Sequence, residues 1–221
     1  MLTYQALRTA FEQDADSVAA AGMKKYMRNQ FAFYGYQTKP RKAIYHDGLR
    51  DAKKSGQIDW ELLEQCWQDP HRELQYFVCD YLIAMEKHLQ MTDLPKIERF
   101  VRSKQWWDTI DTLVKPISYL TWNDPAGPTL MLKWSQDPDF WVRRVAIEFQ
   151  LLRKGETDTA LLAQIIENNL GSQEFFINKA IGWALRDYSK TNPAWVADFI
   201  NRHQEDLSKL SIREGSKYLK N

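Results

Sequence analysis

The chain has little of what punctuates β-structure and little of what anchors redox or metal chemistry. Nine glycines and eight prolines among 221 residues are too few turn makers for a protein of many short hairpins. Two cysteines, Cys66 and Cys79, cannot supply a disulfide framework or a four-thiolate metal site, and are expected to serve helix packing in a reducing cytoplasm. His46, His71, His88 and His203 are scattered without acidic or thiol neighbours at ligand spacing, so no metal is expected. No run approaches 18 apolar residues, and residues 1–20 lack a basic start followed by an apolar stretch, so neither a membrane span nor a cleavable leader is expected. Glycine-rich phosphate loops, a His-Glu-x-x-His element, a helix-hairpin-helix signature and an iron–sulfur cysteine set are all missing, and no cofactor is implied.

What is present points to helices. Apolar residues make up 44% of the chain, enough for a sizeable core. They recur at three-and-four spacing, as in Leu62, Leu63, Cys66 and Trp67, or Leu161, Leu162, Ile165 and Ile166, and strict alternation is nowhere sustained. Most prolines lie between these stretches, where helices begin or end.

Four segments align without gaps: Glu73-Leu-Gln-Tyr-Phe-Val-Cys-Asp80, Trp107-Asp-Thr-Ile-Asp-Thr-Leu-Val114, Trp141-Val-Arg-Arg-Val-Ala-Ile-Glu148 and Phe176-Ile-Asn-Lys-Ala-Ile-Gly-Trp183. Their starts are 34, 34 and 35 residues apart, and a weaker copy, Ser211-Ile-Arg-Glu-Gly-Ser-Lys-Tyr218, follows 35 later. Polar leads beginning at Asp69, Ser103, Asp137 and Ser172 precede the four and are expected N-caps. A period of this length with two helical patterns per unit predicts an all-α solenoid of antiparallel helix pairs with a concave groove. The tetratricopeptide and ankyrin signatures are absent, which leaves a HEAT-like repeat by elimination, here a single domain over 1–221.

Charge is polarised beneath a net value of +1. Between Lys24 and Lys54, nine basic residues (Lys24, Lys25, Arg28, Lys39, Arg41, Lys42, Arg50, Lys53 and Lys54) face only Asp47 and Asp51, a local balance of +7. The sign reverses from Ser55 to Pro95. The basic block is either a solvated face or a phosphate track.

One repeat position breaks the pattern. Position five of the aligned copies is Phe77, Asp111, Val145, Ala180 and Gly215, so a carboxylate stands where the others are apolar or small. It is either solvated and salt-bridged or turned into a cleft, because an unpaired buried carboxylate costs several kcal/mol, roughly. Positions one, five and eight share a helix face, which lines up Trp107, Asp111, Trp141, Glu148, Phe176 and Trp183, with Arg144 and Lys179 beside them. Rings, an acid and cations on one strip suit a nucleotide, while Trp141 and Phe176 also read as plain core residues.

The segments Lys104-Gln-Trp-Trp-Asp-Thr-Ile-Asp111, Trp141-Val-Arg-Arg-Val-Ala146 and Phe175-Phe-Ile-Asn-Lys-Ala-Ile-Gly-Trp-Ala-Leu-Arg-Asp-Tyr188 resemble the AlkD family of bacterial DNA alkylation repair enzymes. So do Lys25-Tyr-Met-Arg-Asn-Gln-Phe-Ala-Phe-Tyr-Gly-Tyr-Gln-Thr38 and Leu207-Ser-Lys-Leu-Ser-Ile-Arg-Glu214. The resemblance implies a HEAT-like solenoid whose basic concave surface wraps duplex DNA. It also implies excision of cationic N-alkylated purines, such as 3-methyladenine and 7-methylguanine, by cleavage of the N-glycosidic bond. By motif, Asp111 would be the catalytic acid with Trp107 and Trp183 as aromatic partners, Arg144 a DNA-contacting arginine, and Tyr26 a contact to the backbone near the lesion. Lys179 on the strip, and Lys24, Lys25, Arg28, Arg41 and Lys42 in the basic block, join the expected DNA contacts.

The expected enzyme is thus a monomeric, cytoplasmic, monofunctional glycosylase acting on duplex DNA that contains alkylated bases, with water as nucleophile. On this reading no general acid lies on the strip, Glu148 being placed one repeat away from Asp111, so neutral lesions would be left alone. A non-catalytic DNA-structure-binding protein and a protein-binding HEAT scaffold remain as alternatives on the same array. The Trp107, Asp111 and Trp183 set discriminates, since a scaffold has no use for that carboxylate.

Overall fold

The computed structural model describes residues 2–219, and among them every regular element is helical, apart from an isolated bridge between Ala32 and His71. The chain forms two compact units, 1–90 and 91–221. The first holds α1 (Tyr4–Gln13), α2 (Ser17–Tyr26), α3 (Thr38–Ser55), α4 (Trp60–Gln68) and α5 (Arg72–Ala84). The second holds α6 (Leu94–Val101), α7 (Trp107–Trp122), α8 (Gly127–Trp134), α9 (Phe140–Glu148), α10 (Thr159–Glu167), α11 (Phe175–Ser189), α12 (Pro193–Arg202) and α13 (Lys209–Gly215), closed by a 3₁₀ turn at Ser216–Tyr218.

Short-range signals account for most helix starts. Asp16, Asp59, Asp139, Asp158 and Glu174 each accept a backbone N–H in the first turn of the helix they precede. Pro95, Pro128 and Pro193 stand in first turns, where a missing N–H costs nothing. Two of the four polar leads therefore cap as expected, through Asp139 and Glu174. The other two do not: α5 begins after His71 and α7 after Trp106, neither of which caps with its side chain. Pro116 also departs from the boundary rule, lying buried inside α7, where it cannot donate to the Thr112 carbonyl.

The five aligned segments fall on α5, α7, α9, α11 and α13, the last running into the closing 3₁₀ turn. In the second unit α7, α9, α11 and α13 pack in succession, while α8 packs on α10. The period of the sequence is realised as side-chain rungs between successive repeats. Gln105 reaches Asp139, Ser135 accepts from Asn168, Ser118 accepts from Arg153, the Leu152 N–H donates to Asp187, and Ser211 donates to the Asn178 carbonyl, each across 33–35 residues. Gly182 permits the tightest approach, since a methyl group there would lie 2.5 Å from Glu214 Cβ. The core is apolar and well filled around Leu113, Ile117, Val142, Val145, Ile165, Ile177, Ile181 and Leu185.

In the first unit Glu73 is fully buried and its carboxylate accepts N–H bonds from Tyr34, Gly35 and Tyr36, which ties the segment after α2 to α5. Helix α2 itself buries no residue.

Candidate active site

Asp111 sits one turn into α7, on the same face as Trp107, and both are half-buried. Its carboxylate is clamped by Arg144 of α9: Nε donates to Oδ1 at 2.7 Å and Nη2 to Oδ2 at 2.8 Å. This is the two-toothed geometry in which a guanidinium fixes both the place and the plane of a carboxylate. The third corner of the guanidinium is also spoken for, because Nη1 donates to the Phe176 carbonyl at 2.6 Å. Asp111 keeps 23% of its side chain exposed, whereas Arg144 keeps 1%.

Glu148, one turn after Arg144 on α9, completes the arrangement. Its Oε1 lies 2.9 Å from Arg144 Nη2, yet off the direction of any N–H, so that buried oxygen has no well-formed hydrogen bond. Burial pushes the Glu148 carboxyl up to about 8, with Arg144 opposing and the Asp111 carboxylate adding to the rise. Two carboxyls thus share one guanidinium.

Aromatic and cationic groups of α11 form the other wall. The Trp183 ring is faced by Arg144 at 5.2 Å, and by Lys179 and Arg186 at 5.8 Å each, all within cation–π range. Lys179 and Arg186 are in turn drawn to Glu214 of α13, at 2.9 Å each, and Lys217 joins them at 2.7 Å. The hydrogen bonds from Lys217 and Lys179 hold the Glu214 carboxyl down to about 2.

Several expectations change at this point. Arg144 is not an open surface cation: its guanidinium is buried and engages Asp111, Phe176 and Glu148. Glu148 is not remote from Asp111, because α7 and α9 are neighbours and one repeat along the chain is a single helix spacing across the array. Trp141 is buried in an aromatic cluster with Trp106, Phe140 and Phe176, at centroid separations of 4.7–5.9 Å, so it is a packing residue rather than part of an open strip.

In the first unit, Arg41 is only 8% exposed and pairs with Asp80 at 3.4 Å, while its Nε donates to Tyr45. Lys42 is half-exposed and also reaches Asp80, at 2.9 Å. Lys24, Lys25 and Arg28 are exposed, and so is Tyr26, at 71%. The basic block therefore divides into cations held by Asp80 and cations turned to solvent.

Glu214 and Arg186 are site residues that the repeat pattern alone does not single out. For Glu214 a signal exists, since position four of the last three copies reads Arg144, Lys179, Glu214, and Lys179 and Glu214 touch across adjacent copies. Arg186 lies one turn past its aligned segment and so falls outside the repeat register.

Helix-pair repeats carrying a half-open carboxylate, a clamping arginine and a cation-faced tryptophan define a repeat protein with a built polar site. The model of the DNA alkylation repair enzyme family matches residues 7–219, and the chain belongs to that family. It is similar over 93% of its length, at 33% identity and a TM-score of 0.85, to 96% of an Enterococcus faecalis protein described as a predicted DNA alkylation repair enzyme. Two Streptococcus mutans structures share the fold at a TM-score of 0.60. Smu.31 is 15% identical, with 82% of this chain and 98% of that one covered, and AlkD2 is 14% identical, with 78% and 91% covered. No curated protein matches.

Proposed function

We propose that this repair enzyme is a monofunctional DNA glycosylase that hydrolyses the N-glycosidic bond of cationic N-alkylated purines, 3-methyladenine and 7-methylguanine among them, in duplex DNA. The observation that carries the reading is Asp111: a carboxylate fixed in plane by Arg144, still partly open, beside half-buried Trp107, with the same Arg144 facing the Trp183 ring of α11. A carboxylate offers about four acceptor positions, and the clamp uses two. The open edge is left for a water and for the sugar.

An alkylated purine with a formal positive charge leaves without being protonated, so the cost lies in the developing cation at C1′. At about 4 Å and an effective dielectric near 20, a carboxylate stabilises that charge by on the order of 4 kcal/mol before the opposing charge of Arg144 is counted. Tryptophan faces add about 0.5–2 kcal/mol each. Water directed by Asp111 attacks C1′, its proton passing to the carboxylate, and the neutral purine departs with the bonding electrons. Lys179 is held by Glu214 rather than poised as a Schiff-base nucleophile, which supports water in that role.

The test is release of methylated bases from alkylated duplex DNA by purified protein, with uracil- and hypoxanthine-containing duplexes as controls. Release from the alkylated duplex alone is expected. Tight DNA binding without base release from any duplex would favour a non-catalytic DNA-binding role instead.

A further inference from the structure

The carboxyl pair at the site has a charge imbalance that a purely structural ion pair would not need. Arg144 brings one positive charge, Asp111 and Glu148 bring two acids, and the Arg144 and Glu148 side chains are each 1% exposed. The rest of the surroundings supplies no compensation. From α7 the facing group is Asp111 itself. From α11, Lys179 and Arg186 turn to Glu214, and Phe176 offers only its carbonyl, to Arg144. The charged residues of α8 and α10, Lys133 and Glu167, are exposed. An ionised Glu148 would leave a buried oxygen without a well-formed hydrogen bond and a second negative charge beside Asp111, and both are costly. A proton on Glu148 removes both problems and leaves the guanidinium to Asp111 alone.

We propose that Glu148 is a positioning residue: as the neutral acid it confines Arg144 to the bidentate clamp on Asp111, and when it ionises it competes for the guanidinium and loosens the clamp. This rests on Asp111 acting in the glycosylase reaction. Glu148 touches no substrate and acts only through Arg144 and Asp111. Its raised folded-state value sets the direction with pH. Between the ordinary carboxylate range, about 4.3, and about 8, the folded protein keeps a proton that the unfolded chain has released. The Glu148 contribution to stability is therefore fully present at low pH and is lost as pH rises through that window, and the clamp goes with it.

Glu148→Gln is the informative variant, since its amide oxygen can accept from Arg144 and its NH₂ can donate to Asp111 as the protonated acid would. The melting temperature and the base-release rate of both proteins are measured from about pH 5 to 9, a span that brackets the titration of Glu148. At neutral pH the variant is expected within about twofold of wild type in kcat, and at about pH 9 wild type falls about tenfold from its maximum while the variant stays flat. The wild-type melting temperature should decline with rising pH more steeply than the variant's. Parallel melting curves for the two proteins would overturn the proposal whatever the enzyme does. Diverging melting curves with base release from neither protein would uphold the shared proton and reject the glycosylase reading instead.

Discussion

Asp80 in the first unit and Asp111 in the second are both aspartates clasped by an arginine from a neighbouring helix, but their charge accounts run in opposite directions. Asp80 receives Arg41, Lys42 and the Tyr45 hydroxyl, the last at 2.7 Å, so two cations answer one acid. Asp111 receives one guanidinium and has a second acid behind it. Glu214 extends the first pattern further, with three cations on one carboxylate. An overcompensated carboxylate is finished: its acceptors are taken up by its own cations and little remains for a ligand. An undercompensated one, held in plane but left partly open, keeps capacity to direct water or meet a developing cation. Stoichiometry, more than the mere presence of an arginine, separates the fastener from the candidate catalyst.

The largest expected effect is on Asp111. Asp111→Asn keeps the shape and removes the charge, so base release should drop by roughly 10²–10³ while DNA affinity persists. Single-turnover assays at saturating DNA check this, and an equal rate would break the comparison outright. Glu214→Gln should act on stability. Because the Glu214 carboxyl is held down to about 2 by its lysines, its contribution is present above the ordinary carboxylate range and is lost as pH falls towards 2. The variant should melt lower by on the order of 5 °C at neutral pH, with the gap closing in acid, as calorimetry over a pH series would show.

Asp80→Asn removes a fastener from two cations. A stability loss of about 1–2 kcal/mol is expected by denaturant titration, with base release within about twofold of wild type. A large catalytic defect there would erase the distinction between the two aspartates. The smallest effect concerns the exposed cations. Lys24→Ala with Lys25→Ala should reduce the slope of log affinity against log salt by about 0.9 for each phosphate that is no longer neutralised. The same change at Lys42, which Asp80 already holds, should alter the slope less.

Helical content and repeat register are legible in the sequence because both are periodic signals repeated several times along the chain. Position five exposes Asp111 for the same reason: four copies define what the fifth violates. Polarity of contact is not legible. Arg144 reads as a surface cation from its type alone, and only the packing of α7, α9 and α11 shows the guanidinium turned inward. Glu148 looks remote from Asp111 when distance is counted along the chain, whereas stacking makes one repeat a single helix spacing. Arg41 and Lys42 group with Lys24 and Lys25 by sequence proximity, although Asp80, 39 and 38 positions further on, pairs with the former two and only Arg41 is buried.

The rungs that join each helix to the one a repeat later also impose a timetable. The chain is synthesised from its N-terminal end, at roughly 5–20 residues per second, so Asp111 emerges about 5–20 s before Glu214. It gains Arg144 after 33 further residues, and the Phe176 carbonyl that steadies the guanidinium arrives 32 after that. Lys179 and Arg186 then wait for α13 before their shared carboxylate exists. A nascent chain paused between α11 and α13 would already carry both halves of the clamp while the carboxylate that answers the cations around Trp183 had yet to be made. The order of birth along the ribosome is thus the order in which the site is first aimed and then fenced.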